Sequence, residues 1–245
     1  LGERGDIIKR MHRALTERGI ERGSASYVLA AESLDVPVIG RLVERGLDDE
    51  LKGTAYAVVD GVDGRTHHIR LPHLDATGDS PPGSIVELRA YEDAKGDRRV
   101  ALAVRSDLDL QHQVSATGAT WLDRQSIARE PVAMSDGGFG AEVRDAMRQR
   151  AEHLVGEGLA EQQGRRVIFN RNLIETLRRR EVDAVAGRLA KETGQPFKPA
   201  EGGEYVAGTY RQRLTLASGR FAMIDDGLGF QLVPWSPSLD KQLGR

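Results

Sequence analysis

The chain has 245 residues, 39% hydrophobic and 29% charged, with 35 basic against 37 acidic side chains and a formal net charge of −2. That length favours two or three modules over one, and the near-neutral balance carries no bulk signature of a nucleic-acid binder. Without cysteine there are no disulfides, thiolate nucleophiles or cysteine-based zinc sites; with no apolar run near the ~18 residues of a membrane span and no signal-peptide pattern at the start, the expectation is a cytoplasmic protein with no membrane partner.

Residues Asp6 to Arg18 place Ile7, Ile8, Met11 and Leu15 at helical spacing, and Gly19 stops the helix. A second short helix is expected after Asp35 and Pro37, with Val38, Ile39, Leu42 and Val43 inward and Gly46 as its C′ residue. The period then changes to two. "TAYAVVDG", "RTHHIRL", "SIVELRAY" and "DRRVALAVR" read as four strands, with hairpin turns at Asp63-Gly64 and Lys95-Gly96 and a long loop over "DATGDSPPG". Four strands at this spacing suggest a small antiparallel sheet or partly closed barrel. A polar connection then leads into a helix that includes Trp121.

"SDGGFG", Ser135 to Gly140, reads as a linker. Val143, Met147, Leu154 and Val155 mark a helix ending at Gly156-Glu157-Gly158, and "LAEQQGRRVIF" is a tight hairpin with Gln163-Gly164 at its tip. Asn170 or Asn172 caps a long charged helix running to about Thr193. "GQPFKPAEGG" is a second linker, followed by strands "TYRQRLTL", "RFAMI" and "FQLV". The fold class is therefore α+β and multi-module. Residues 1–52 are a helical segment, 53–134 a small barrel-like domain with a following helix, 135–198 a winged-helix-like helical module, and 199–245 a three-stranded β module. "LVERGLDDELKGTAYAVV" from Leu42 and "LVGEGLAEQQGRRVIF" from Leu154 echo each other as a candidate repeat.

Charge is unevenly spread. Gly164 to Arg180 holds six arginines against Glu175 alone, whereas Gly53 to Leu110 holds seven basic and ten acidic residues. Any anion-binding surface is expected in the second half. Arg165 and Arg166, just past the hairpin tip, stand where a wing would touch phosphates, a task suited to the planar, permanently charged guanidinium. Arg178, Arg179 and Arg180 are consecutive, so on a helix they fan over about 200° and cannot all follow one phosphate path. One of them is expected to pair with Glu175 or Glu181. In "TYRQRLTL", Tyr210, Gln212, Leu214 and Leu216 share one face, and Arg211, Arg213 and Thr215 the other. With Arg220, three guanidinium groups could line one edge. The candidate nucleic-acid-binding residues are Arg165, Arg166, Arg211, Arg213 and Arg220.

No catalytic, metal or cofactor site is expected. His67 and His68 are adjacent, so in a strand they point to opposite faces and do not share a metal simply; a surface strand is the expectation. Asp225 and Asp226 precede Gly227, the strongest common hairpin signal. They are expected to point into solvent with ordinary acidity, while Trp235 seals the core.

The stretch from Gly208 to Arg245 resembles the end of conjugative relaxases, the mobilization nucleases of transmissible plasmids and integrated elements in proteobacteria. "LGERGDIIKRMHRAL" resembles the segment following the nicking domain of those proteins, and "LVERGLDDELKGTAYAVVDGVDGRTHHIRLP" and "TGATWLDRQ" are similar to their interior. Relaxases nick through a tyrosine beside a metal-binding histidine cluster, whose pattern of two histidines around one apolar residue is absent here. The resemblance thus implies a non-catalytic C-terminal region that binds single-stranded or duplex DNA near the transfer origin. The alternative is a module docking the relaxase to transfer or secretion proteins; an independent metal-dependent hydrolase using Asp225 and Asp226 is a third reading.

Overall fold

The alternating runs of the first half pair into one sheet. In the computed structural model, which describes residues 2–30, 34–201 and 205–245, β3 (Thr54–Gly61), β4 (Thr66–Leu71), β5 (Ile85–Glu92) and β6 (Arg98–Ser106) occupy the four expected stretches. Gly64 and Gly96 take φ of 79° and 81°, the left-handed turn positions that glycine adopts without a Cβ penalty. Two further strands join them, β1 (Tyr27–Ala30) and β2 (Val38–Asp49), in the order β1-β4-β3-β2-β5-β6. β1 runs parallel to β4, and the other neighbours are antiparallel. The result is a six-stranded mixed sheet.

β2 corrects the second expected helix. Asp35 and Pro37 imitate a helix start and Gly46 a helix end, yet Gly40 would have weakened the interior of such a helix. In the sheet both glycines are sites of close approach. Gly40 lies against the Asp60-Gly61 backbone, where a Cβ would overlap the Asp60 carbonyl, and Gly46 lies under the Tyr56 ring. Residues 1–52 therefore contribute α1 (Glu3–Glu17) and two strands, and the boundary at 52/53 falls in the β2–β3 hairpin. Residues 31–33 of that segment, and Gly202 and Gly203 of the second expected linker, lie outside the described residues. Gly40→Ala is expected to destabilise the protein by about 1–3 kcal/mol through overpacking, read as a lower urea midpoint at unchanged slope.

α1 covers one face of the sheet, burying Met11, Ala14 and Leu15 against Val43, Tyr56 and Val58. It ends as its sequence suggested: the Gly19 and Ile20 amides donate to the Thr16 and Leu15 carbonyls, with Gly19 at φ 68°. The opposite face gathers Val38, Leu42, Ile69, Leu71, Leu88 and Val100.

A helical layer follows: α2 (Leu110–Val114), α3 (Trp121–Ile127) and α4 (Gly138–Gly156). Trp121, Leu122, Phe139, Val143 and Ala146 pack with Val62 and Ile85 of the sheet region. Thr120 and Asp123 form a capping box that starts α3. The Ser135–Gly140 corner belongs to this contact: the Ser135 amide donates to the Val62 carbonyl at 2.8 Å, and a Cβ on Gly140 would overlap both groups.

One charged side chain is enclosed by all three helices. Arg150 of α4 is buried, and its Nε and Nη2 donate to the Asp123 carboxylate at 2.9 and 3.0 Å. Its remaining donors reach the carbonyls of Val114, Ala116 and Gly118 at 3.2, 2.6 and 2.9 Å. A guanidinium is tolerated there because every donor has an acceptor.

The chain closes with α5 (Leu173–Thr193) and a three-stranded meander, β9 (Thr209–Leu216), β10 (Gly219–Asp225) and β11 (Phe230–Pro234), in the order β11-β10-β9. Phe221, Met223, Phe230 and Leu232 pack on Val185, Ala186 and Leu189 of α5. Glu181 of α5 anchors the β9–β10 turn by accepting from the Ala217 and Ser218 amides at 3.0 and 2.9 Å. Among the described residues no helix is long and apolar enough to cross a membrane. The proposed internal repeat does not survive as structure, because Leu42-Val43 lie in β2 and Leu154-Val155 lie in α4.

Candidate nucleic-acid interface

The hairpin after α4 is built by glycine. α4 ends with Gly158 at φ 73°, its amide bonded to the Val155 carbonyl, while Leu159 bonds back to Leu154. β7 (Ala160–Gln163) then pairs with β8 (Arg166–Phe169), with Gln163 opposite Arg166. The two-residue turn is Gly164-Arg165, and Gly164 at φ 62° occupies the first central position, as a type II′ turn requires. Val167 and Phe169 pack with Leu154, Leu159, Leu173 and Leu177. Alternation therefore puts Arg166 and Ile168 on the outer face, where both are exposed, and Arg165 projects from the turn.

α5 starts directly beyond. Asn172 occupies its N-cap position at φ 56° but makes no side-chain cap bond; its carbonyl accepts from Thr176 instead. The Asn170 side chain donates to the Gly158 carbonyl at 3.3 Å, tying the two ends of the hairpin together. Arg171, Arg178, Arg179 and Arg180 are all exposed. Among the described residues, none of these four, nor Arg165 or Arg166, forms an ion pair. The pairing expected between the α5 arginines and Glu175 or Glu181 is therefore not made. Glu181 is spent on the β9–β10 turn, and the Arg178 guanidinium lies 5.3 Å over the Phe221 ring. Six cations are thus left facing water on one hairpin and the helix that follows it.

The other three candidate arginines are placed differently. A bulge in β9 sets Gln212 opposite Met223 but Tyr210 opposite Ile224, leaving Arg211 as the extra residue. The expected faces are corrected accordingly. Tyr210 moves to the side of Ala222 and Ile224 with Trp235, and Leu214 and Leu216 stay on the α5 side. Arg211 is exposed and lies 3.4 Å from Asp225. Arg213 pairs with Asp79 at 2.7 Å, and Arg220 with both Asp107 (2.7 Å) and Asp79 (2.9 Å), with Ser80 at 3.1 Å. Both guanidinium groups stand over the Trp235 ring, at 5.0 and 5.4 Å. The Asp107 hydrogen bond leads in pushing the Arg220 pKa upward, against burial. Burial works against ionisation of Asp79, but the two arginines outweigh it and hold that carboxyl below its usual range. Arg213 and Arg220 are therefore corrected from a free basic edge to a clasp joining the C-terminal sheet to the β4–β5 loop and the end of β6. Trp235 is half-buried in that clasp, its Nε1 donating to Asp240 at 3.1 Å.

The acidic turn is structural. Asp225 Oδ1 accepts from the Gly227 amide at 2.7 Å, and Asp226 Oδ1 accepts from Leu228 and Gly229, both at 2.9 Å. Lys198 reaches Asp226 at 2.8 Å and is the main cause of its lowered pKa, a departure from the ordinary acidity expected there. Asp225 is also not a solvent group: its side chain is 11% exposed, beside Arg211.

The histidines are buried, which corrects the expected surface strand. β4 lies inside the sheet between β1 and β3. His67 Nε2 is 2.8 Å from the Asp63 carboxylate. His68, on the other face, stacks on Tyr56 with centroids 5.3 Å apart, and its Nε2 is 3.4 Å from Arg10. Among the described residues no three histidine or carboxylate groups converge on a metal position.

These features describe a multi-module α+β protein in which six exposed arginines, without an ion pair among the described residues, lie within one hairpin and the first turns of the helix that follows it. The chain belongs to the family described as a protein of unknown function, DUF3363, whose profile matches residues 1–95 and 87–245. No curated protein and no solved structure matches it.

Proposed function

We propose that this chain is the non-catalytic, DNA-binding region of a conjugative relaxase and works in the cytoplasm, with the β7–β8 hairpin and the first turns of α5 as its contact surface. The observation that carries the reading is the contrast in arginine use. Arg10, Arg13, Arg22, Arg41 and Arg70 in the first module, and Arg213 and Arg220 in the last, are each paired with carboxylates, whereas Arg165, Arg166, Arg171, Arg178, Arg179 and Arg180 have no such partner among the described residues and α5 pairs only Arg188, with Glu192. Unpaired guanidinium groups on a short exposed loop can bond phosphate oxygens without first breaking an internal pair. The resemblance of the chain to relaxase C-terminal regions supplies the biological setting, and the turn-bound Asp225 and Asp226 speak against the hydrolase reading.

Arg165→Ala with Arg166→Ala is expected to weaken duplex binding at every sequence and to reduce the salt slope by roughly two units, about 0.9 for each phosphate contact. Arg178→Ala with Arg179→Ala is expected to do less, because Arg178 already stands over Phe221 and the two side chains diverge around the helix. Fluorescence titrations of both variants from low to moderate salt test this. Absence of binding by the unaltered chain at low salt would overturn the function.

A further inference from the structure

α4 precedes the hairpin and is the helix that a helix-in-groove reader would use on base edges. Its surface is already committed. Phe139, Val143, Ala146, Arg150 and Leu154 are buried. Of the exposed polar positions, Glu142 bonds Arg22 at 2.6 Å and Arg41 at 3.2 Å, and both of those arginines also hold the fully buried Asp60 of β3. Arg144 is taken by Asp136 and the Met134 carbonyl. Arg148 lies between Asp145 at 2.6 Å and Glu152 at 3.0 Å, and Gln149 donates to Asp145 at 2.7 Å.

Base readout needs free donors and acceptors on an element that fits the major groove. The N-terminal half of α4 is pressed against the six-stranded sheet and its outward groups are occupied by one another. The hairpin, by contrast, exposes Arg165, Arg166, Gln163 and Ile168, with Glu161 opposite Ile168 and the Gln162 side chain already donating to the Gly164 carbonyl at 2.7 Å. We infer that this surface binds the sugar–phosphate backbone without reading sequence, its ligand being duplex nucleic acid of any composition. The inference rests on the DNA-binding function proposed above and sharpens it: the chain supplies grip, and any choice of site is left to whatever it accompanies.

The test uses the full chain with a randomised 24-base-pair duplex library carried through repeated rounds of selection, and direct titration of the starting and final pools. A groove reader loses roughly fivefold or more for each wrong base pair. Here the two pools are expected to bind alike, and Arg144→Ala with Arg148→Ala is expected to bind as the unaltered chain does while Arg165→Ala with Arg166→Ala weakens. Enrichment of a motif, or an equal loss in the α4 variant with its fold intact by circular dichroism, would overturn sequence-blind binding but leave DNA binding standing. No binding to any pool at low salt would overturn both.

Discussion

Arg150→Met is expected to lower stability by roughly 3–5 kcal/mol, the range for breaking a buried ion pair by deleting one partner. Three losses combine. The Asp123 carboxylate, fully buried, is left without its countercharge, and three carbonyls in the 114–118 connection lose their donors. The fork that aligned α2, α3 and α4 is also replaced by a side chain of similar reach but no polarity. For a protein with an ordinary margin of 5–15 kcal/mol, such a loss is enough to threaten folding at growth temperature. Urea unfolding measures it. The double variant Arg150→Met with Asp123→Asn should recover part of the loss, because the stranded charge is gone while the Thr120 cap retains an acceptor. A double-mutant cycle with no coupling between these touching residues would show that the pair is not the source of the effect.

The second large effect is expected with pH. Burial is the main reason His68 is pushed down to about 4, with Arg10 adding to it and Asp48 opposing. Its Nε2 faces an Arg10 guanidinium nitrogen, so that nitrogen must accept, and a proton there would set two cations against each other. In the unfolded chain the ring titrates near 6.5. Between these values the unfolded state binds a proton that the folded state refuses, so stability is full above pH 6.5 and falls as the pH drops toward 4. Linkage puts the loss on the order of 3 kcal/mol. His68→Phe keeps an aromatic ring against Tyr56 and should flatten the stability profile between pH 6.5 and 4. An unchanged profile in that variant would place the titrating group elsewhere.

Strands β3 to β11 were legible because each carries its period in its own residues, and Asp63-Gly64, Lys95-Gly96 and Gln163-Gly164 mark turns among them locally. β2 was not, because Pro37 and Gly46 also suit a helix, and only the approach of Asp60 and Tyr56 reveals why the glycines are there. β1 is four residues long and is held by β4, some forty positions away in sequence, so nothing local announces it. The arginines divide on the same principle. Arg165 and Arg166 owe their exposure to a turn written beside them, whereas the partners of Arg213 and Arg220 lie 134 and 113 residues distant. The β9 bulge, which moves Tyr210 to the opposite face, has no sequence mark. Arg150 did leave one: it follows Val143 by seven and precedes Leu154 by four, placing a charge on the apolar stripe of α4, where only an enclosed partner could keep it.

The corner at Ser135–Gly140 bears on how the molecule comes apart. Glycine and aspartate in succession invite the idea of a hinge, a place where a protease would separate two halves that then live independently. Yet this backbone is bonded to Val62, and Phe139 beside it is buried in the cluster that unites sheet and helices. Cleavage requires a strand of several residues to leave its surroundings, which here means opening that shared interior. Digestion at this corner would therefore report the unfolding of the whole assembly, and the rate of nicking, extrapolated to zero denaturant, would serve as a gauge of global opening rather than of domain motion.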